Sequence, residues 1–209
     1  AYTSVRQQAP IDSANGFAAQ YDGGGHTITG VSFVSDSRGS IGMFATVARS
    51  GQVRNTVLMA SGSEAVRVYG QLNGSTVRTY AGVLASGSSR NGSLGIFSSE
   101  ANCPSVIVSA YNASVYAGGL AGVNNGAIQS SYALGSLFAK DVRNSTVWLS
   151  GFAGSNNGGS LRYCYSATAL TAAGEAEVYG LTRIGGGALE CCYLNGGTYS
   201  YGGHLYAYN

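Results

Sequence analysis

Charge is what this sequence has least of. Only 10% of its 209 residues are Asp, Glu, Lys or Arg, against about 25% in ordinary globular chains. Its 11 basic residues, from Arg6 to Arg183, stand singly along the chain, and the net charge is +2. Without a basic stripe there is no electrostatic footprint for phosphate, so no nucleic-acid partner is expected. Long apolar runs are missing as well. Nothing approaches the ~18 residues that span a bilayer as a helix, so no membrane span is expected. The first residues show neither the basic start nor the apolar stretch of a signal peptide. With Ala1 where an initiator Met would stand, the expectation is a mature or excised piece of something longer. There are two histidines, His26 and His204, and neither an HExxH nor a Cys/His cluster, so no metal and no cofactor are expected. The four cysteines, Cys103, Cys164, Cys191 and Cys192, fit neither a CxxC metal pattern nor a dense disulfide framework.

Against these shortages stand 33 Gly, 15 Tyr and a hydrophobic content of 44%. That is enough apolar surface for a sizeable core in one domain over residues 1–209. Low charge with abundant small residues suits stacked strands, because like charges repeated at strand spacing repel one another. Long helices would be served poorly by the same composition.

Internal repetition is the strongest signal. Three stretches read GLAGVNNGAIQSSYA from Gly119, GFAGSNNGGSLRYCYS from Gly151 and GLTRIGGGALECCYL from Gly180. Each opens on Gly and an apolar residue, passes through a small-residue segment, and reaches an aliphatic residue (Ile128, Leu161, Leu189) with a tyrosine four positions later (Tyr132, Tyr165, Tyr193). A looser copy starts at Gly42, with Val53 in the aliphatic place and Val57 in the tyrosine place. Upstream of the glycines a second element recurs as VYAGGL, VWLSGF and VYGL, with weaker forms VYGQL and TYAGVL. It predicts a second aromatic column of Tyr69, Tyr80, Tyr116, Trp148 and Tyr179. Between Gly70 and Gly119 either the Gly82 segment or the Gly95 segment serves as the principal turn.

Short β-branched and aromatic runs that alternate with small or polar residues are half-buried strands, and the NG, GG and NNG clusters between them are corners. A unit this small cannot bury its apolar face alone, so units must stack. The expected fold is therefore all-β: a single-stranded β-solenoid, a β-helix of right-handed winding, with coils of roughly 24 to 32 residues. Its expected parts are an opening coil over about 1–41, repeats over about 42–194 and a C-terminal cap over about 195–209. Tyr132, Tyr165 and Tyr193 would form one ladder. The residues just before them, Ser131, Cys164 and Cys192, would form a small-residue column on the opposite side.

The run from Gly118 through Tyr132 and Ala133 resembles the GLUG-type repeats of bacterial surface proteins, whose pattern is roughly GGLAG-x-N-x-G-x-I-x-x-[SC]-Y-A. The stretch YDGGGHTITGVSF, from Tyr21 to Phe33, resembles the strand-turn-strand that often precedes such repeats. The likeness spans about Tyr21 to Leu194 and is most specific in the copies at 119 and 151. It implies a β-helix in secreted or wall-attached proteins, including adhesins and the non-catalytic regions of IgA-cleaving peptidases. It brings no catalytic residues. Extracellular or cell-surface placement, and a host protein, a glycan or other domains of a larger surface protein as partners, rest on this likeness alone.

Candidate chemistry is sparse. Glu175 and Glu177 have period-two spacing, which would give a paired carboxylate or a weak Ca²⁺ site, though a solvated turn is the simpler reading. His26 and Asp22 resemble a base and its orienter, with His26 as a hydrogen-bonding corner residue of the first coil the simpler reading. Cys164 and Cys192 are either a disulfide between stacked neighbours or a column of buried thiols acting as small apolar residues; the parallel Cβ vectors of ladder neighbours favour thiols. The tail YLNGGTYSYGGHLYAYN holds five tyrosines. Its Tyr199, Tyr201, His204 and Tyr206 are candidates for ligand contact, with end-capping the more economical reading. The expectation is a non-enzymatic module for adhesion, stalk formation or host-protein binding. A carbohydrate-binding or polysaccharide-degrading β-helix is the alternative.

Overall fold

The structure, a computed structural model, describes residues 5–7, 11, 16–35, 41–60, 66–71, 78–88, 95–173, 176–195, 199–201 and 204–206. It is an all-β solenoid in which every paired strand runs parallel to its neighbours, and the described residues contain no helix. Four sheets run along the stack. One coil shows the plan: a short strand Ala127–Gln129, a long strand Tyr132–Arg143, a third strand Thr146–Ser150 and a fourth strand Ala153–Asn156, after which the next short strand begins at Ser160.

Matched positions in the short sheet are Tyr21, Val53, Ile96, Ile128, Leu161 and Leu189. The differences between these numbers give coils of 32, 43, 32, 33 and 28 residues, so one coil is well beyond the 24–32 range. Val53, Ile96, Ile128 and Leu161 are fully buried. Val53, Ile128 and Leu161 are the central residues of three-residue strands whose flanks are more exposed. In the long sheet the strand Tyr165–Ala172 alternates half-buried and buried at every step, so Ser166, Thr168, Leu170 and Ala172 point inward. Phe33, Phe44, Phe152, Leu120 and Leu149 complete the core. Each such burial contributes about 1.5–3 kcal/mol.

The GGLAG glycines are required by close approach between coils. A Cβ on Gly119 would run into the carbonyl oxygen of Gly151 in the next coil, and one on Gly118 into the Ala121 carbonyl of its own arch and the Gly154 nitrogen of the next coil. The third and fourth strands meet at this arch with no room for a side chain. In the fourth strand Asn124 and Asn156 are fully buried. Asn124 Nδ2 donates to Asn156 Oδ1 at 2.9 Å, and Asn156 Nδ2 donates to the Ala188 carbonyl at 3.1 Å. Gly159 and Gly187 lie against these amides, where a Cβ would collide with them. The Asn and Gly of the motif thus belong to one device, a buried amide ladder that needs bare backbone on the coil above.

The register decides the middle of the chain. Gly82 pairs with Gly118 and Ala85 with Ala121, so the Gly82 segment supplies the principal turn. Gly95 pairs with Ala127 and belongs to the short sheet. Val57 and Tyr132 both pair with Glu100, which places Val57 in the tyrosine column. The opening strands Gln20–Asp22 and Thr27–Ser35 stack in the short and long sheets as an ordinary coil. At the other end, Tyr199–Tyr201 pairs with Leu170–Ala172 and His204–Tyr206 with Glu177–Tyr179, extending the long and third sheets.

Candidate functional site

Corners fix which side chains face out. Between the short and long sheets, the chain turns through Asn55, Ser98, Ser130, Tyr163 and Cys191, all with φ between 46° and 53°. In the first coil the same corner is Gly23–Gly24–Gly25, with Gly24 and Gly25 at φ 61° and 72°, and Gly158 and Gly186 supply φ of 84° and 92° ahead of the next short strands, as Gly-rich corners are expected to. In the later coils the short-to-long corner instead takes one non-glycine residue at positive φ, and the residue after it is held by hydrogen bonds. That next position is Thr56, Ser99, Ser131, Cys164 and Cys192. The first four are buried and the last is half-buried. Ser131 Oγ donates to the Gln129 carbonyl at 2.9 Å and accepts the Ser99 N–H at 3.2 Å. The Ser131, Cys164, Cys192 column therefore sits at the corner, facing in, and the tyrosines that follow face out.

Tyr132, Tyr165 and Tyr193 stand in register. Tyr132 is 38% exposed and Tyr193 67%, while Tyr165 is half-buried. Tyr132 Oη donates to Glu100 Oε2 at 2.8 Å, and this bond to a carboxylate raises the phenol's pKa. Tyr163, at the strained corner, is 53% exposed on the same flank. Beside them in the short sheet, Gln129, Arg162 and Glu190 are in register. Arg162 Nε meets Glu190 Oε2 at 2.8 Å. At the other end of that column, Arg54 Nε meets Asp22 Oδ2 at 2.9 Å. One outer flank of the solenoid is thus a tyrosine surface edged by paired charges. Sequence reasoning placed the tyrosine ladder but missed Tyr163, whose positive φ carries no glycine signal.

The second aromatic column is corrected by the register. Tyr80, Tyr116 and Trp148 are aligned, but Glu177 takes the next place and Tyr179 pairs with Ser150. Tyr69 lies in the long sheet opposite Ser109. Tyr116 and Trp148 stack at 4.2 Å with 17° between planes, and the Arg183 guanidinium lies 5.2 Å from the Trp148 ring centre on a later coil. Trp148 Nε1 and Tyr179 Oη both donate to Glu177 Oε2, at 3.0 and 2.7 Å. Burial first, and the Glu177 carboxylate second, push the Tyr179 phenol well above its usual range. Packed between Tyr116 and Arg183, the indole is a clasp between coils and poorly placed as a platform for a sugar.

The remaining candidates separate. Asp22 accepts from the Gly24 N–H at 2.9 Å and from Asn55 Nδ2 at 3.0 Å, besides its pairing with Arg54, and these contacts hold its pKa below the ordinary value. His26 is exposed on the following turn. Glu175 lies outside the described residues, and Glu177 belongs to the clasp. Of Tyr199, Tyr201, His204 and Tyr206 the strands are described, while their side chains lie outside the described set. Gly119, Gly151 and Gly180 hold the arches, where a Cβ on Gly180 would meet Leu194. Ile128 and Leu161 are buried, and Leu189, in the last short strand, is 38% exposed. All four cysteines are free thiols. Near the amide ladder, Asn125, Gly126, Gly158, Gly159, Gly186 and Ala188 line a shallow groove of about 310 Å³. Among the described residues no helix is long and apolar enough to cross a membrane. The chain matches no known family model, no curated protein and no solved structure.

Proposed function

We propose that this chain is a non-catalytic repeat module of a bacterial surface protein, a rigid stalk whose tyrosine flank binds a host protein. The observation that carries the reading is the division of labour within each coil. The motif residues Gly118, Gly119, Asn124, Ile128 and Ser131 face the stack and hold it together. Tyr132, Tyr163, Tyr165 and Tyr193 stand outward on the same scaffold beside the Arg162–Glu190 pair. Tyrosine and arginine are the side chains that dominate protein interfaces, because they combine large apolar area with polar tips and few rotors. The surface setting, and a place within a larger adhesin or IgA-cleaving peptidase, come from the GLUG-type resemblance.

A second reading, glycan binding, is favoured by the same flank, since Tyr163 and Tyr193 expose more than half of their surface next to charged side chains. One experiment separates the two. The immobilised chain is tested against host extracellular glycoproteins before and after enzymatic deglycosylation, alongside the Tyr163→Ala/Tyr193→Ala double variant. The proposal expects binding that survives deglycosylation and weakens at least ~10-fold in the double variant, with an unchanged circular dichroism spectrum. Binding lost on deglycosylation favours the glycan reading. Turnover of a polysaccharide or peptide by the purified chain would overturn both.

A further inference from the structure

The inward corner column changes chemistry partway along the stack. Its rungs are Thr56, Ser99 and Ser131, then Cys164 and Cys192. The hydroxyl rungs do the structural work completely. Thr56 Oγ1 donates to the Arg54 carbonyl at 3.0 Å, and Ser99 Oγ accepts the Thr56 N–H at 3.4 Å. The thiols repeat the donor half of this scheme. Cys164 Sγ reaches the Arg162 and Ile128 carbonyls at 3.3 and 3.5 Å, and Cys192 Sγ the Leu161 and Glu190 carbonyls at 3.4 and 3.5 Å. Sulfur is the weaker donor and acceptor, so two consecutive rungs have given up hydrogen-bond strength. What adjacent thiols offer, and hydroxyls do not, is a covalent bond between coils.

Their separation permits one, provided that the Cβ vectors, parallel in ladder neighbours, turn toward each other as the bond closes. Tyr165 pairs with Tyr193, and the Tyr193 N–H donates to the Cys164 carbonyl at 2.8 Å, so the cysteines are direct ladder neighbours. Parallel strands sit ~4.8 Å apart, inside the Cα separation of about 4.4–6.8 Å that a disulfide needs. Each Sγ reaches a short-sheet carbonyl of the coil below, Ile128 for Cys164 and Leu161 for Cys192, so the two thiols stand on the same inner side of the corner. Cys164 is buried, whereas Cys192 is half-buried on the last rung, within reach of a small reagent.

We infer that Cys164 and Cys192 are a modification site, an inter-coil disulfide made by exchange with a small-molecule disulfide such as oxidised glutathione, which staples the last coil to the stack. The Cys192 thiolate attacks one sulfur of the reagent; a mixed disulfide forms and one small thiolate leaves. Cys164 gives up its proton to that thiolate and attacks the Cys192 sulfur, which releases the second small thiolate. Two protein thiols are oxidised to one disulfide, and one small disulfide is reduced to two thiols. The order follows from acidity. The neighbouring Cys164 thiol lowers the pKa of Cys192, while Cys192 and burial raise that of Cys164. The thiolate is the nucleophile.

The full chain is incubated with oxidised glutathione, and its disulfides are mapped by mass spectrometry, with hydrogen exchange read on the amides of 166–194. The expected product links Cys164 to Cys192 and raises protection of the last coil by on the order of 100-fold. Cys103, whose thiol burial pushes to about 12, serves as the unreactive control. Cys192→Ser, which restores the hydroxyl found at Ser131, folds and shows neither change; Cys191→Ser shows both. Free thiols at 164 and 192 after oxidation, a bridge through the exposed Cys191, or equal protection in Cys192→Ser would each overturn the assignment.

Discussion

Asn124 and Asn156 are amides with no access to water, and each meets polar groups of the coil above. Removing one amide therefore breaks the ladder on both sides. Asn156→Ala removes the bonds to Asn124 and to the Ala188 carbonyl, leaving Asn124 Nδ2 only the Ser160 carbonyl at 3.3 Å, and at about 0.5–1.5 kcal/mol for each lost bond the variant loses about 1–3 kcal/mol. Urea denaturation measures this, and a loss under about 1 kcal/mol would contradict the ladder. Asp22 offers a test of opposite character, because its carboxyl is exposed and held by Gly24, Asn55 and Arg54. Its pKa in the folded chain is lowered from 3.8. The contribution is therefore fully present above the unfolded value and lost as pH falls through the lower folded one. Thermal melts across the acid range are expected to show this loss in the parent chain. Asp22→Asn, less stable than the parent at neutral pH, lacks that component of the acid dependence. The same acid dependence in both would show that Asp22 does not couple the first two coils.

At the scale of strands and corners, the clasp is the part that reading the sequence did not supply. Trp148 bridges Tyr116 on the preceding coil and Glu177 and Arg183 on the following one. It holds the 28-residue coil, which is the shortest of those compared. Trp148→Ala is expected to cost about 2–3 kcal/mol, since a half-buried indole forfeits less than a core one but also loses its stacking. Hydrogen exchange should accelerate at residues 176–184 and stay unchanged around Ile96. A uniform acceleration would mean that the clasp has no local role.

The legible and illegible parts of the chain divide on a physical line. The copies at Gly119 and Gly151 were readable because close coil packing and the amide ladder admit only Gly and Asn at fixed spacing. VYGQL and VYAGGL were confusable because β-branched and aromatic alternation is common to all half-buried strands. Only pairing across the stack puts Tyr69 in the long sheet and Tyr80 in the third. Tyr163 and Cys191 were invisible as corners, since their positive φ is imposed by the coil and not by the residue. Glu177 was visible as a carboxylate, but its two donors come together only through register.

For the whole molecule, stability is a sum over coils and their interfaces, as in any stacked repeat. The outward surface depends on that register: a slip of one residue would turn the tyrosines inward and expose Ser131 and Cys164. The register can be read directly from methyl groups in the short sheet. A nuclear Overhauser spectrum of the chain with labelled Ile, Leu and Val methyls is predicted to show Val53–Ile96, Ile96–Ile128, Ile128–Leu161 and Leu161–Leu189 contacts, each between residues paired one rung apart. Absence of these contacts, or their replacement by pairs offset by one or two residues, would contradict the stacked solenoid and the outward tyrosine flank with it.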